Sequence, residues 1–70
     1  MNTTQTLIES FLNGNIIATK AKLARRTHGE LRYEYGALTG CDDAKATAFA
    51  DYIKGDISFQ AYCDSNHQPA

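Results

Sequence analysis

The fold depends on residues 16–35, IIATKAKLARRTHGELRYEY, because the two halves of this stretch carry different residue patterns. Ile16 and Ile17 favour a strand, whereas residues 18–26 consist mostly of strong helix formers. On a helical wheel most apolar side chains of this half lie on one side and most basic ones on the other, as in an amphipathic helix. We therefore predict a helix over residues 16–26 and keep a strand there as the alternative.

Residues 30–35 alternate between apolar and charged side chains, which is the period of a half-buried strand. The apolar set comprises Leu31, Tyr33 and Tyr35. A hairpin turning at His28 would pair this strand with residues 16–26. That register opposes Arg25 and Arg32, whose like charges repel, although a bulge could correct it. A lone strand leaves backbone groups unpaired, so its partner would be either residues 16–26 or the same strand of a second copy. The sequence therefore predicts a small α+β fold, mainly α with a short β element, and a possible homodimer.

Helices are predicted on both sides of this stretch. Residues 4–12 place their large apolar side chains on one helical face, and Thr6 with Glu9 has the S/T-x-x-E form of a capping box. A second helix opens at Asp42 and Asp43, whose carboxylates suit the positive helix N-terminus. Its predicted buried face comprises Ala46, Phe49, Ala50, Tyr52 and Ile53. A glycine ends that helix and a short final helix follows, which gives one N-terminal and two C-terminal helices.

The chain of 70 residues has room for a single small domain, which we place at residues 1–64, with a flexible tail at residues 65–70. A domain of this size buries only roughly 60% of the surface of its unfolded chain, so a partner would help to stabilise it. No apolar run approaches the roughly 18 residues of a membrane helix, and the N-terminus lacks the layout of a secretory signal. The two cysteines are too few for a disulfide framework. We therefore expect a cytoplasmic protein with no membrane partner.

The near-neutral net charge of -1 conceals two opposed regions. Residues 20–32 carry a net charge of +4 and residues 33–70 a net charge of -4. In one interpretation the acidic helices pack beside the basic segment and the fields largely cancel. In the other, one charged face is presented to a partner, since electrostatic complementarity speeds association and selects partners. The isoelectric point of about 6.0 argues against a protein dedicated to nonspecific nucleic-acid binding, for which it would ordinarily exceed about 9.

The second interpretation defines a candidate partner-binding surface. Its basic members are Lys20, Lys22, Arg25, Arg26 and Arg32. Tyr33 and Tyr35 are candidate anchors, because aromatic residues and arginine are enriched at binding sites. We expect at least one of these tyrosines to cover the core instead. The acidic alternative consists of Asp42, Asp43 and Asp51.

No sequence motif points to catalysis or to a cofactor. The chain contains no phosphate-binding loop, no dinucleotide fingerprint and no H-E-x-x-H motif. Cys63 and His67 are four residues apart, but a structural zinc site would ordinarily include a C-x-x-C knuckle, which is missing. A chain of this size also has little room for a pocket of the ~300 Å³ typical for ligands. We therefore expect a non-enzymatic protein with no metal or other cofactor.

Residues 20–27, KAKLARRT, resemble the first helix of the helix-turn-helix motif of phage-repressor-like regulators, in which an A-x-L-A core precedes a glycine turn and a recognition helix. The chain departs from this pattern because Gly29 comes one place late and residues 30–35 alternate like a strand. The resemblance implies a small DNA-binding transcriptional regulator in which Arg32 and Tyr33 face the DNA groove.

The short chain, with segregated charges and no catalytic motif, is also similar in type to the small accessory proteins that bacteriophages use to block host machinery, including nucleic-acid-targeting defence systems. This resemblance involves no shared motif and assigns no functional residues. It implies an inhibitor or adaptor that binds a larger protein or a nucleoprotein complex in the host cytoplasm, which is our leading hypothesis. Nucleic acid is the less favoured partner. The alternatives are the DNA-binding regulator and a structural subunit that self-associates.

Overall fold

The computed structural model describes residues 2–66, which form five helices and no strand. The helices are α1 (Thr3–Leu12), α2 (Ile16–Leu23), α3 (His28–Thr39), α4 (Asp43–Ile53) and α5 (Phe59–Asn66). The prediction of a small α+β fold is therefore wrong, and the described chain is a compact all-helical bundle.

The predicted strand over residues 30–35 lies inside α3. Leu31 and Tyr35 are buried, but Tyr33 is 73% exposed, so the alternating pattern does not mark a common face. The spacing of four residues between the two buried side chains is also a helical spacing. Thr27 caps the helix by accepting a hydrogen bond from the backbone N–H of Glu30, at 3.1 Å. Without this strand, the hairpin is excluded and the argument for a homodimer through an unpaired strand falls away.

The helix predicted over residues 16–26 is present as α2, although it ends at Leu23 and a turn follows it. Its orientation differs from the helical-wheel prediction. Thr19 and Leu23 are buried, whereas Ile17 is 83% exposed. A short helix that packs mainly on α1 buries only a narrow stripe, and Ile17 lies outside it.

The predicted N-termini of the two helices that flank residues 16–35, α1 and α4, can be compared with the structure. The helix α1 begins at Thr3, and its N-cap is Asn2, whose side chain accepts from the N–H of Gln5 at 2.8 Å. The predicted capping box at Thr6 and Glu9 is therefore wrong. The predicted helix start at Asp42 and Asp43 is confirmed, with Asp42 as the N-cap of α4, and all five residues of the predicted apolar face are buried.

The last helix reaches further than predicted. Ser65 and Asn66, which were assigned to the flexible tail, belong to α5, and the remaining tail residues, 67–70, lie outside the described residues. Asn66 accepts a hydrogen bond from the hydroxyl of Tyr35 at 2.9 Å. The helical part of the domain therefore extends to at least residue 66.

The core lies where α2, α3 and α5 pack against α4, and α1 reaches it through Phe11, whose ring contacts Phe49. The fully buried side chains are Ile8, Leu23, Leu31, Phe49 and Ile53. Each contributes roughly 1.5–3 kcal/mol relative to leaving it exposed. Tyr35 stacks on Phe49 with ring centroids 4.2 Å apart, and Phe11 meets the edge of the same ring at 5.2 Å. Aromatic packing thus compensates for a chain with few large aliphatic residues.

None of the helices within residues 2–66 has the length and apolar character needed to cross a membrane.

Candidate functional site

The acidic residues of α3 are used inside the fold. The carboxylate of Glu34 accepts hydrogen bonds from the side chains of Asn2 at 2.7 Å and Gln5 at 2.9 Å. The carboxylate of Glu30 accepts one from the hydroxyl of Thr4 at 2.6 Å. These contacts tie α3 to the first turn of α1, so both carboxylates are committed to holding the two helices together.

Arg26 belongs to the same network. Its Nε donates to the hydroxyl oxygen of Thr4 at 2.9 Å and lies 3.8 Å from the carboxylate of Glu30. The side chain of Arg26 is 28% exposed. Arg26 therefore has a structural role in addition to any contact with a partner.

The acidic alternative to the basic surface has partners within the fold. Asp42 caps α4, and Asp51 lies 2.7 Å from Nε2 of His28. Asp43 lies 3.7 Å from Nε of Arg32, in an exposed pair that contributes at most ~1 kcal/mol. All three aspartates predicted as an acidic face are thus engaged with this chain.

Five basic residues have no carboxylate within 4.0 Å among residues 2–66, namely Lys20, Lys22, Arg25, Lys45 and Lys54. Lys54 donates a hydrogen bond to the backbone carbonyl of Ala24 at 2.8 Å, and Lys45 is half-buried. Two of the five are exposed and make neither a side-chain hydrogen bond nor a cation–π contact within the described residues. They are Lys22, in the last turn of α2, and Arg25, in the turn that follows. By contrast, the ammonium group of Lys20 lies 5.0 Å from the ring centre of Tyr52, where a cation–π contact holds it against the fold. The predicted basic surface is therefore reduced to a smaller set.

Lys22 and Arg25 line an open groove between α1 and α2, with a volume of about 540 Å³. We call it the basic groove, and its lining residues are Thr3, Leu7, Ala21, Lys22, Arg25 and Arg26. Leu7 and Ala21 supply apolar surface, and the other four supply hydroxyl, ammonium and guanidinium donors. Its volume lies in the range of ligand pockets, so the expectation that this chain leaves little room for a pocket is wrong.

The two candidate tyrosines occupy different environments. Tyr35 is 4% exposed, and its hydroxyl lies 3.1 Å from that of Tyr62. Burial raises the pKa of both phenols, and the mutual hydrogen bond raises the pKa of Tyr62 further while opposing the rise at Tyr35. Tyr35 is therefore a core residue and not an anchor for a partner. Tyr33 remains accessible.

The structure removes one of the two departures from the helix-turn-helix pattern, because a helix and not a strand follows the turn after α2. The segment after the α2 turn is a helix, α3, and its exposed side chains include Arg32 and Tyr33. The predicted strand no longer argues against a recognition helix at this position. The two residues are adjacent in sequence and point about 100° apart around α3, and neither makes a side-chain hydrogen bond to α1 among the described residues.

Within residues 2–66, no group of three or more His, Cys, Asp or Glu side chains is arranged to hold a metal ion. Cys41 and Cys63 are free thiols, half-buried beside the core. His67, the residue considered with Cys63 as a zinc ligand, lies outside the described residues.

The sequence did not identify Thr3, Leu7 and Ala21 as members of a surface site. Leu7 was assigned to a core face, and the wheel placed Ala21 on the buried side of α2, whereas Ala21 is exposed. The helical-wheel prediction put Ile17 on the buried side of α2, and nothing in the sequence indicates that Ile17 is exposed. Comparisons with protein-family models, curated proteins and solved structures find no match for this chain. Its functional interpretation therefore rests on its own residues.

Proposed function

We propose that the protein is a non-enzymatic inhibitor or adaptor that binds a larger protein or nucleoprotein complex through its basic groove. The small accessory proteins with which phages block host defence complexes are the type of protein that would act in this way. Lys22 and Arg25 supply the leading contacts, with Arg26 beside them in the groove.

The pairing of charges carries this proposal. The acidic candidates are partnered inside the fold, whereas Lys22 and Arg25 are exposed and have no salt-bridge partner among residues 2–66. Their charges are therefore not cancelled by direct contact with a carboxylate. Unpaired cations on a concave surface attract an acidic partner and increase its association rate.

The experiment is a capture of partners from the cells that encode the protein. The immobilised chain is compared with the double variant Lys22→Glu/Arg25→Glu and with a matched control, Ala44→Glu/Lys45→Glu/Ser58→Asp, which has the same net charge. Lys54 is left unchanged because it donates a hydrogen bond to the carbonyl of Ala24, next to Arg25. We expect the first variant to weaken partner binding by at least about tenfold, or 1.4 kcal/mol, and the control to change it by less than about threefold.

Stability must be measured alongside, since Lys22 lies in the last turn of α2, where a cation also favours the helix end by about 0.3–1 kcal/mol. Circular dichroism should show that both variants remain folded. Equal retention of the partner by wild type and by folded Lys22→Glu/Arg25→Glu would contradict the proposal.

A second candidate function is a DNA-binding regulator of the helix-turn-helix type. The observation in its favour is that α3 follows α2 after a short turn and exposes Arg32 and Tyr33. Titration of duplex DNA at two salt concentrations separates the candidates, because each neutralised phosphate adds about 0.9 to the salt slope. If the protein is a regulator, it should bind duplex DNA with a steep salt dependence, and the slope should be smaller by about 1 in Arg32→Gln than in wild type. Absence of duplex binding removes this candidate.

A further inference from the structure

The basic groove is continuous with apolar surface on α2. Leu7 and Ala21 line the groove, and Ile17 lies one helical turn before Ala21 on the same side of α2. Ile17 is 83% exposed, the highest value among the large apolar side chains of residues 2–66. Lys22, in the last turn of α2, and Arg25, in the turn that follows, line the same groove as Ala21. The surface therefore passes from apolar to cationic over about two helical turns.

We propose that this surface binds an amphipathic acidic helix of a partner protein. Its apolar side chains would cover Leu7, Ala21 and Ile17, and its carboxylates would pair with Lys22 and Arg25. The inference rests on the proposed function and specifies the chemistry of the partner segment.

The groove is short. Its lining on α1 runs from Thr3 to Leu7, about one helical turn or 6 Å, so a partner helix would place one or two of its turns in it. Apolar residues spaced by three or four positions on that helix would fall along the groove floor. An aspartate or glutamate one turn further on would reach the cationic end, where Lys22 offers three donors and Arg25 five.

The same features favour protein over nucleic acid. A phosphate backbone offers no apolar group to cover Ile17, and only two unpaired cations face the groove. The third cation of the groove, Arg26, lies 3.8 Å from Glu30, which partly neutralises its charge. A duplex bound here would show a salt slope of only about 2, which corresponds to two neutralised phosphates and to weak binding.

The experiment is a selection from a displayed library of random peptides of about 16 residues on the immobilised full chain. We expect the enriched peptides to combine apolar residues three or four positions apart with a following Asp or Glu. Their addition should shift the backbone amide NMR signals of residues 3–7 and 17–25. Circular dichroism of the bound peptides should show helix.

Two matched variants test the groove itself. Ala21→Phe fills the groove without changing the charge, and Ala37→Phe makes the same change at an exposed position of α3 that does not line the groove. We expect Ala21→Phe to lower the affinity for the selected peptides by about tenfold or more, and Ala37→Phe to leave that affinity within about twofold of wild type. Lys22→Gln/Arg25→Gln should weaken them by a similar factor at low salt and by less at high salt.

The proposal is overturned if no peptide is enriched, if the enriched peptides lack acidic residues, or if they bind equally to wild type and Ala21→Phe. It is also overturned, in favour of nucleic acid, if random duplex DNA displaces the peptides and shifts the same amide signals. These outcomes concern the class of occupant. The capture experiment with charge-reversed variants reports separately on whether the basic groove binds any partner.

Discussion

Replacing Leu31 or Tyr33 by alanine distinguishes the helix from the strand that the sequence pattern favours. In a strand, both side chains would lie on one face and would lose similar amounts of buried surface. In α3, Leu31 is 0% exposed and Tyr33 is 73% exposed. The two substitutions should therefore have very different effects on the free energy of unfolding.

The magnitudes follow from burial. Removing a fully buried leucine side chain costs about 2–5 kcal/mol, because transfer free energy is lost and a cavity remains. A domain of this length has a total stability of roughly 4–10 kcal/mol, so Leu31→Ala should lower the melting temperature by about 10 °C or more. Tyr33→Ala should change the free energy of unfolding by no more than about 0.5 kcal/mol.

The assay is urea and thermal unfolding followed by circular dichroism at 222 nm, a wavelength that reports helix. If Leu31→Ala does not fold, Leu31→Met, which nearly conserves volume, should fold and cost less than about 1.5 kcal/mol. Equal destabilisation by Leu31→Ala and Tyr33→Ala, or a larger effect of Tyr33→Ala, would refute the assignment of residues 30–35 to α3.

Two further predictions concern local interactions. Thr27→Ala should lower the free energy of unfolding, measured in urea, by about 1 kcal/mol, because it removes the N-cap of α3. Thr27→Ser, which keeps a capping hydroxyl, should retain most of the wild-type stability. Equal stability of wild type and both variants would contradict the capping role of Thr27. Tyr62 has a raised pKa in the folded chain and a pKa of 10.0 when unperturbed, so its contribution to stability is complete below about pH 10 and is lost as the pH rises above it. Urea unfolding between about pH 8 and pH 11 should therefore show a shallower alkaline decline for Tyr62→Phe than for wild type, and an unchanged decline would contradict the burial of this phenol.

Much of the helical structure was predictable because local signals agreed with one another. In α4, the early aspartates at positions 42 and 43 and the apolar positions at helical spacing predict the same helix, and the structure confirms it. In α3 the local signals conflict. Leu31 and Tyr35 fit a period of two and a period of 3.6, and the intervening Tyr33 makes the strand pattern look complete. The signature Thr27-x-x-Glu30 marks the start of α3, but the same signature at Thr6-x-x-Glu9 marks no helix start, so it could not decide the assignment alone.

The site was less predictable because it depends on which charges meet after folding. Arg25 and Arg26 are adjacent in sequence and identical in type. Only the packing of α1 beside α3 separates them, since it brings Thr4 and Glu30 to Arg26 and leaves Arg25 exposed. The burial of Tyr35 likewise follows from the positions of α4 and α5. No pattern within a single segment carries this information.

The central claim is that the charges of Lys22 and Arg25 act on a partner from a defined surface rather than through the net charge. It is tested most directly by the association rate constant between the captured partner and two variants of equal net charge, Lys22→Gln/Arg25→Gln and Ala44→Glu/Lys45→Gln. We predict that the first variant associates about tenfold more slowly than wild type at low salt. This difference should shrink near 1 M salt, where the Debye length is about 3 Å. The association rate constant of the second variant should stay within about twofold of the wild-type value. Equal slowing of both variants, or no slowing of the first, would contradict the account.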